Sequence, residues 1–438
     1  MSEIGIAQKK NSLFTIADHI CAVLLALCPL LQHYVAPLYN AAITVMLLIA
    51  AYLILRILLD VHNVKWGAIA FVAVMVAYQI FRVVNHGTTV AEFGQSGVFI
   101  VFILAIALGK INLDTMLKAC RAVCLLASGY LILQYVFYYL FKIHLQMAPT
   151  DLLIKSADQW VLVAQTGLAG VTGRVGNLYR PSAFFLEPSH MYIYAFPHLI
   201  LLLFKEKITK KVLLMAGLIS LGLILTTSGM GIAAAAGIWG LFLIFRDERD
   251  GTFSFKNIVR KRNLIAMGLL VVGFIGATVC VPFVRSAVLR VFIPGATGST
   301  AITGRVSGAW SYIEPMTFWQ WIWGVADNTN GITTNFPGLL DALYRHGLIG
   351  VVLSYELYVK CMVKLPLAYK LMGAVILITS LFSGHTHSLV GMMYFLLVLM
   401  SGFACVDQGK SPIQIYTIPG RDTVLSRIFK KKESADNA

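Results

Sequence analysis

KVLLMAGLISLGLILTTSGMGIAAAAGIWGLFLIF, residues 211–245, carries no charge after its first residue. A helix crosses the hydrocarbon core of a bilayer in roughly 20 apolar residues, so the stretch holds two short crossings back to back, 211–228 and 229–245. Between them TTSG, residues 226–229, replaces aliphatic side chains with small and hydroxylated ones and supplies a tight turn. Lys205, Lys207, Lys210 and Lys211 flank the pair on one end, Arg246 and Arg249 on the other. Both flanks of a helical hairpin lie on one side of a membrane, and basic residues collect on the cytoplasmic side. The turn is therefore expected on the outer side.

The same pattern extends in both directions. Further apolar runs fall at 17–36, 38–59, 67–85, 94–109, 116–141, 189–204, 263–283, 338–359, 366–384 and 386–405. The chain of 438 residues is 58% hydrophobic and 13% charged, too little polar surface for a soluble protein of this size. The expected fold is an all-α integral membrane protein, a single polytopic domain over 1–438 with about 12 transmembrane helices. The first run is long enough to span and is followed by no small-residue cleavage site, so no cleavable leader is expected.

With the N-terminus in the cytoplasm, 26 of the 35 basic residues fall on the inner side. That places both termini, including a basic tail at 406–438, in the cytoplasm of an inner-membrane protein. Topology thus accounts for most of the basic residues behind the net charge of +15. Basic residues scattered between apolar runs do not form the single basic face that nucleic acid requires. The outer side holds two lysines and seven arginines, against 18 lysines and eight arginines inside. Lysine suffices for a topology signal, whereas the planar fork of arginine grips phosphate or carboxylate with two bonds at once. An outer face that keeps arginine points to an anion site, unless these residues pair with the few outer acids.

Two connections are long, 142–188 and 284–337, and both fall outward as extracytoplasmic loops. They are rich in aromatics, which argues against disorder. The rings of Trp160, Tyr179, Phe184 and Phe185 in the first loop, and of Trp310, Tyr312 and the WQWIW run at 319–323 in the second, suit a membrane interface or the apolar face of a sugar; the WQWIW run is read as interfacial. Residues 151–165 read as a helix along the membrane surface. The seven cysteines lie in or beside apolar runs and read as packed thiols. No inverted pair of broken helices stands out, and Arg82, Arg121 and Glu356 are the charges noted within the spans. That pattern weighs against an ion-coupled transporter.

Three segments carry the candidate chemistry. GRVGNLYRPSAFFLEPSHMY, 173–192, closes the first loop and opens a span at Pro188, a residue suited to the first helical turn. Glu187, Ser189 and His190 then stand at the positive end of that helix, with Arg180 seven residues upstream. Arg180 and Glu187 either brace the loop as a pair or present a cation to a phosphate and a base to a sugar hydroxyl. TTSGMG, 226–231, either cradles an anion on its amides or packs helices closely, with Ser228 at its centre. AITGRVSGAWSYIEP, 301–315, brings Arg305 and Trp310, and is followed by Asn335 and by a span whose early turns hold Asp341, Tyr344, Arg345 and His346. Arg345 and His346 lie deep enough to require a polar surround.

In order and expected sidedness these segments resemble the O-antigen and capsule polymerases of the Wzy type and the related O-antigen ligases. RPSAFFLEPSH, TTSGMG, GRVSGAW, WGVA and TNFPGLLDALYRHGLIG carry the resemblance, over roughly 174–352. The ligases place a histidine just before the asparagine of the last loop, where this chain has Thr334 before Asn335, a departure that favours a polymerase. The resemblance implies that an undecaprenyl-diphosphate-linked oligosaccharide is joined to a second carrier-linked sugar on the outer face, with lipid diphosphate leaving. Membrane lipids, a chain-length regulator and a flippase are the partners it implies. In that reading Arg180 and Arg305 stabilise the leaving diphosphate with Arg174 and Arg345 in support, and Glu187 is the base. His190, His346, Asn335, Trp310 and Ser228 are substrate-binding candidates. No metal or cofactor is expected, because no D-x-D pair lies in the outward loops. A ligase, or a flippase or transporter of lipid-linked sugar, is the alternative.

Overall fold

Helices occupy most of the expected runs, with ends set by local chemistry. The computed structural model describes residues 2–32, 34–36, 39–59, 66–86, 104, 111–143, 145, 181–185, 188–245, 261–280, 284, 285, 289, 303–325, 336–363 and 365–382. Helix α1 spans Ser2–Leu31, α2 Ala41–Leu59 and α3 Trp66–His86. Helix α4, Leu113–Val136, starts where the Asn112 side chain accepts from the Thr115 amide at 2.8 Å. It runs on into one π-helical turn, Phe137–Phe141, closed by Lys142 in the left-handed conformation. Then follow α5, Pro188–Phe204; α6, Lys210–Leu225; α7, Gly229–Phe245; and α8, Lys261–Cys280. Two short helices, α9 (Thr303–Ile313) and α10 (Phe318–Trp323), precede α11 (Gly338–Val363) and α12 (Leu367–Phe382).

Among the described residues the protein is all-α save for one two-residue antiparallel strand pair, Val35–Ala36 with Tyr39–Asn40, which turns the chain between α1 and α2. Phe14–Leu31, Ala41–Leu59 and Leu113–Phe141 are long and apolar enough to cross a membrane. Shorter apolar helices add Ile69–Phe81, Pro188–Phe204, Gly229–Leu243, Met267–Cys280 and Leu367–Leu381. The expected spans 94–109 (Leu104 apart) and 386–405, the surface helix 151–165 and the tail 406–438 lie outside the described residues.

Helix α5 is the centre of the molecule. It packs against α4, α6, α7 and α12, and the Tyr194 hydroxyl donates to the Ala26 carbonyl of α1 at 2.9 Å. Nearly every side chain from Pro188 to Leu203 is buried. Its aromatic rings key into their surroundings: Tyr194 lies 5.2 Å from Phe185 and Tyr192 5.4 Å from Phe196. Small residues permit close approach elsewhere, as membrane helices require. A Cβ at Gly222 of α6 would lie 2.8 Å from the Ser128 Cβ of α4. Helix α8, by contrast, leans on α7 and leaves Leu269, Val272 and Val279 exposed. Cys280 at its end is exposed too, a correction to the expectation of packed thiols; Cys21, Cys28, Cys120, Cys124 and Cys361 are buried.

Charges gather where α4 begins and α5 ends. Arg121 pairs with Glu206 there. Asp18, which the sequence reading passed over, accepts from the Tyr52 hydroxyl at 2.6 Å and faces Arg56 at 3.4 Å. The Arg56 guanidinium also lies 4.4 Å above the Phe14 ring.

Candidate functional site

At the opposite end, α4 finishes while α5 and α7 begin. Gln134, 2% exposed, organises that end from the last turns of α4. Its Oε1 accepts from the Ala183 amide at 3.1 Å and its Nε2 donates to the Leu145 carbonyl at 3.2 Å. One side chain therefore clasps both ends of the first long loop. Ala183 has φ 55, inside a turn in which the Phe185 amide donates to the Ser182 carbonyl at 3.0 Å. Three residues later Pro188 opens α5. Next to Gln134, the Tyr135 hydroxyl donates to the Leu225 carbonyl at 2.7 Å, where α6 ends. The RPSAFFLEPSH segment and the end of α6, one residue before TTSGMG, are thus held on adjacent residues of α4.

The second segment forms the expected tight turn. The Thr226 amide donates to the Gly222 carbonyl and its hydroxyl to the Leu223 carbonyl at 2.7 Å. The Thr227 amide donates to the Ile224 carbonyl, and the Ile232 amide to the Ser228 carbonyl, at 3.0 Å each. Thr227 has φ 52, a disfavoured conformation for a β-branched residue. Thr226, Thr227 and Ser228 are all buried.

The third segment builds its own apolar cluster, Ala309, Ile313, Met316 and Phe336, with Tyr312, Trp321, Leu340 and Tyr344 packed against it. The hydroxyl of Thr317 and the side chain of Gln320 cap α10 reciprocally. Its far end docks into a break in α11, where Gly347 is non-helical at φ 64, ψ −174. Gly324 has φ 86 and meets the Arg345 carbonyl backbone to backbone, so neither glycine has room for a Cβ. The break strips carbonyls of their helical donors, and other donors replace them. The Val325 amide donates to the Tyr344 carbonyl at 2.8 Å, and the Tyr78 hydroxyl of α3 donates to the His346 carbonyl. The Phe81 ring lies 4.8 Å from that of Trp323, which ties α3 to the same joint.

Against this frame the candidate residues divide. His190 and Ser228 lie buried at the clasped end. Trp310 is 45% exposed, its ring edge-on to Trp321 at 6.2 Å. Arg345 Nε donates to Asp341 Oδ1 at 2.7 Å one turn back, so part of its fork is engaged by an acid. His346 is half-buried beside the break. The backbone of Arg305 belongs to the first turn of α9, and its side chain lies outside the description. Arg174, Arg180, Glu187 and Asn335 lie outside the described residues. The first and second segments meet on α4; the third reaches the body through α12 and α3. Sequence reasoning missed Gln134, Tyr78 and the break at Gly347, and within TTSGMG it singled out Ser228 rather than Thr227. A lone glutamine late in an apolar run was the one readable signal, since a buried amide requires partners. Compared with protein-family models and with curated proteins, the chain matches none.

Proposed function

We propose that the protein polymerises undecaprenyl-diphosphate-linked oligosaccharide units on the outer face of the cytoplasmic membrane, as the Wzy-type polymerases it resembles do. The observation that carries the reading is the joint anchoring of the two segments by Gln134 and Tyr135. Segments 180–190 and 226–231 come to one end of the bundle, at the start of its central helix. In this reading Arg180 and Arg305 stabilise negative charge on the departing diphosphate, and Arg174 and Arg345 assist. Glu187, one residue before α5, takes the proton of the acceptor hydroxyl. The glycosidic bond forms at the acceptor oxygen as the bond from sugar to diphosphate breaks. His190, Ser228, His346, Asn335 and Trp310 line the substrate path.

The test is a surface-glycan ladder. Arg180→Ala and Arg305→Ala are expected to leave the membrane protein at normal abundance and to abolish chains longer than one repeat. Lysine at either position is expected to restore little, because a point charge does not reproduce the bidentate fork. Normal chain lengths in both alanine variants would overturn the diphosphate role. Long chains that accumulate on the carrier mark a ligase instead. The broken helix α11 favours a second reading, a flippase of lipid-linked sugar, because discontinuous helices line transporter sites. Here the α10–α11 link fills the break with backbone. A flippase is identified by single repeats trapped on the inner face of vesicles lacking the protein; loss of a polymerase leaves them on the outer face.

A further inference from the structure

Thr227 is 5% exposed, and its Oγ1 is buried without a hydrogen-bond partner among the described residues. A buried hydroxyl in that state costs stability, a cost that a bound ligand with an oxygen acceptor would relieve. Its surroundings specify the ligand's chemistry. The carbonyls of the last turn of α6 already have donors: the Thr226 amide on Gly222, the Thr226 hydroxyl on Leu223, the Thr227 amide on Ile224 and the Tyr135 hydroxyl on Leu225. The next residue, Ser228, contributes the first carbonyl of α7, a helix of 17 residues whose first amides have no helical acceptor. Helix α5 begins at the same end, packs against α7 and runs parallel to it. Glu187 precedes α5, so the acid-free positive end is that of α7, which has no acid in its first turn. A hydroxyl with its proton to give, two residues before the positive end of α7 and its amide donors, is complementary to an anion rich in oxygen.

We infer that the start of α7 is a phosphoryl-binding site in which the Thr227 hydroxyl donates to a phosphate oxygen, the ligand being the diphosphate of a lipid-linked sugar; the lipid-linked source rests on the function proposed above. Isosteric replacement separates binding from folding. Thr227→Val keeps the shape and removes the hydroxyl, so the apo protein is expected to melt at or above the wild-type temperature. Thr227→Ser keeps the donor and serves if the valine variant does not fold.

The full chain in detergent is titrated with inorganic pyrophosphate and, separately, with a polyprenyl diphosphate, and the thermal midpoint is read. The wild type and Thr227→Ser are expected to rise with ligand, and Thr227→Val to bind at least about tenfold more weakly. Protection by the prenyl form alone marks the lipid-linked source, and equal protection by pyrophosphate marks a site for the free anion. Wild-type protection retained in Thr227→Val, or no protection of the wild type by either probe, overturns the site. Weakening in Arg180→Ala without weakening in Thr227→Val removes this site and leaves the arginine reading standing. Weakened binding in Thr227→Val with a normal glycan ladder keeps the site and removes the polymerase reading.

Discussion

Gln134 shows how much one buried amide decides. Ala183 is fully buried, and its amide finds its acceptor on the Gln134 side chain at 3.1 Å. Gln134→Leu leaves that amide unsatisfied, at a cost of about 1–3 kcal/mol. A fall in the thermal midpoint of the purified protein is expected, together with faster proteolysis within 146–180 as both ends of the loop are released. Gln134→Glu keeps an acceptor for Ala183 and loses the donor to Leu145, so it is expected to fall between the two. Ala183→Gly removes the left-handed penalty and is expected to be neutral or stabilising by up to about 1 kcal/mol, less what glycine adds to the unfolded chain. A Gln134→Leu protein with wild-type stability and loop protection would show that the clasp does not hold the loop. The sequence displayed the segments this glutamine joins. It did not display the joining, because Leu145 and Ala183 meet Gln134 through backbone groups, which every residue carries.

Among the elements, α11 departs furthest from its apolar pattern. Residues 338–359 read as one continuous span, and glycine is common enough in membrane helices that RHGLIG gave no warning. What breaks the helix is a partner distant in sequence: the Gly324 backbone lies where a Cβ on Gly347 would stand. The second loop is therefore seated in the span, and Arg345 and His346 lie at the rim of the break. Gly347→Ala forces a side chain against the Ile322 carbonyl in a conformation reserved for glycine, and is expected to cost on the order of 3 kcal/mol or more. Gly237→Ala and Gly240→Ala of α7 meet open space and are expected to be neutral or to stabilise by up to about 1 kcal/mol. The measurement is the monodisperse fraction of each variant after extraction and heating. Equal behaviour of all three would show that the close approach of Gly324 and Gly347 carries no weight.

At the scale of the molecule, hydropathy revealed where helices run but not which one lies at the centre. In lipid an apolar side chain gains little by facing another helix over facing a chain of CH₂ groups, so the buried helix α5 and the exposed helix α8 look alike as sequence. Chain direction settles more. Helix α5 descends from the clasped end and finishes at Lys205 and Glu206, beside the Arg121 at the start of α4. The clasped turns and the Arg121 cluster are therefore at opposite ends of one bundle. If these helices cross a bilayer, each end belongs to a different compartment, and the topology expected from the basic residues has the Arg121 end facing the cytoplasm. Ile143 and Lys207 are exposed at the two ends and make a matched pair of probes. With the native cysteines replaced, Ile143→Cys is expected to react with an impermeant maleimide on intact cells, and Lys207→Cys only after permeabilisation. Reaction of both on intact cells would break the crossing. The reverse order would put the Gln134 clasp, Thr227 and the loops around them in the cytosol, where a lipid-linked glycan already flipped outward does not reach them.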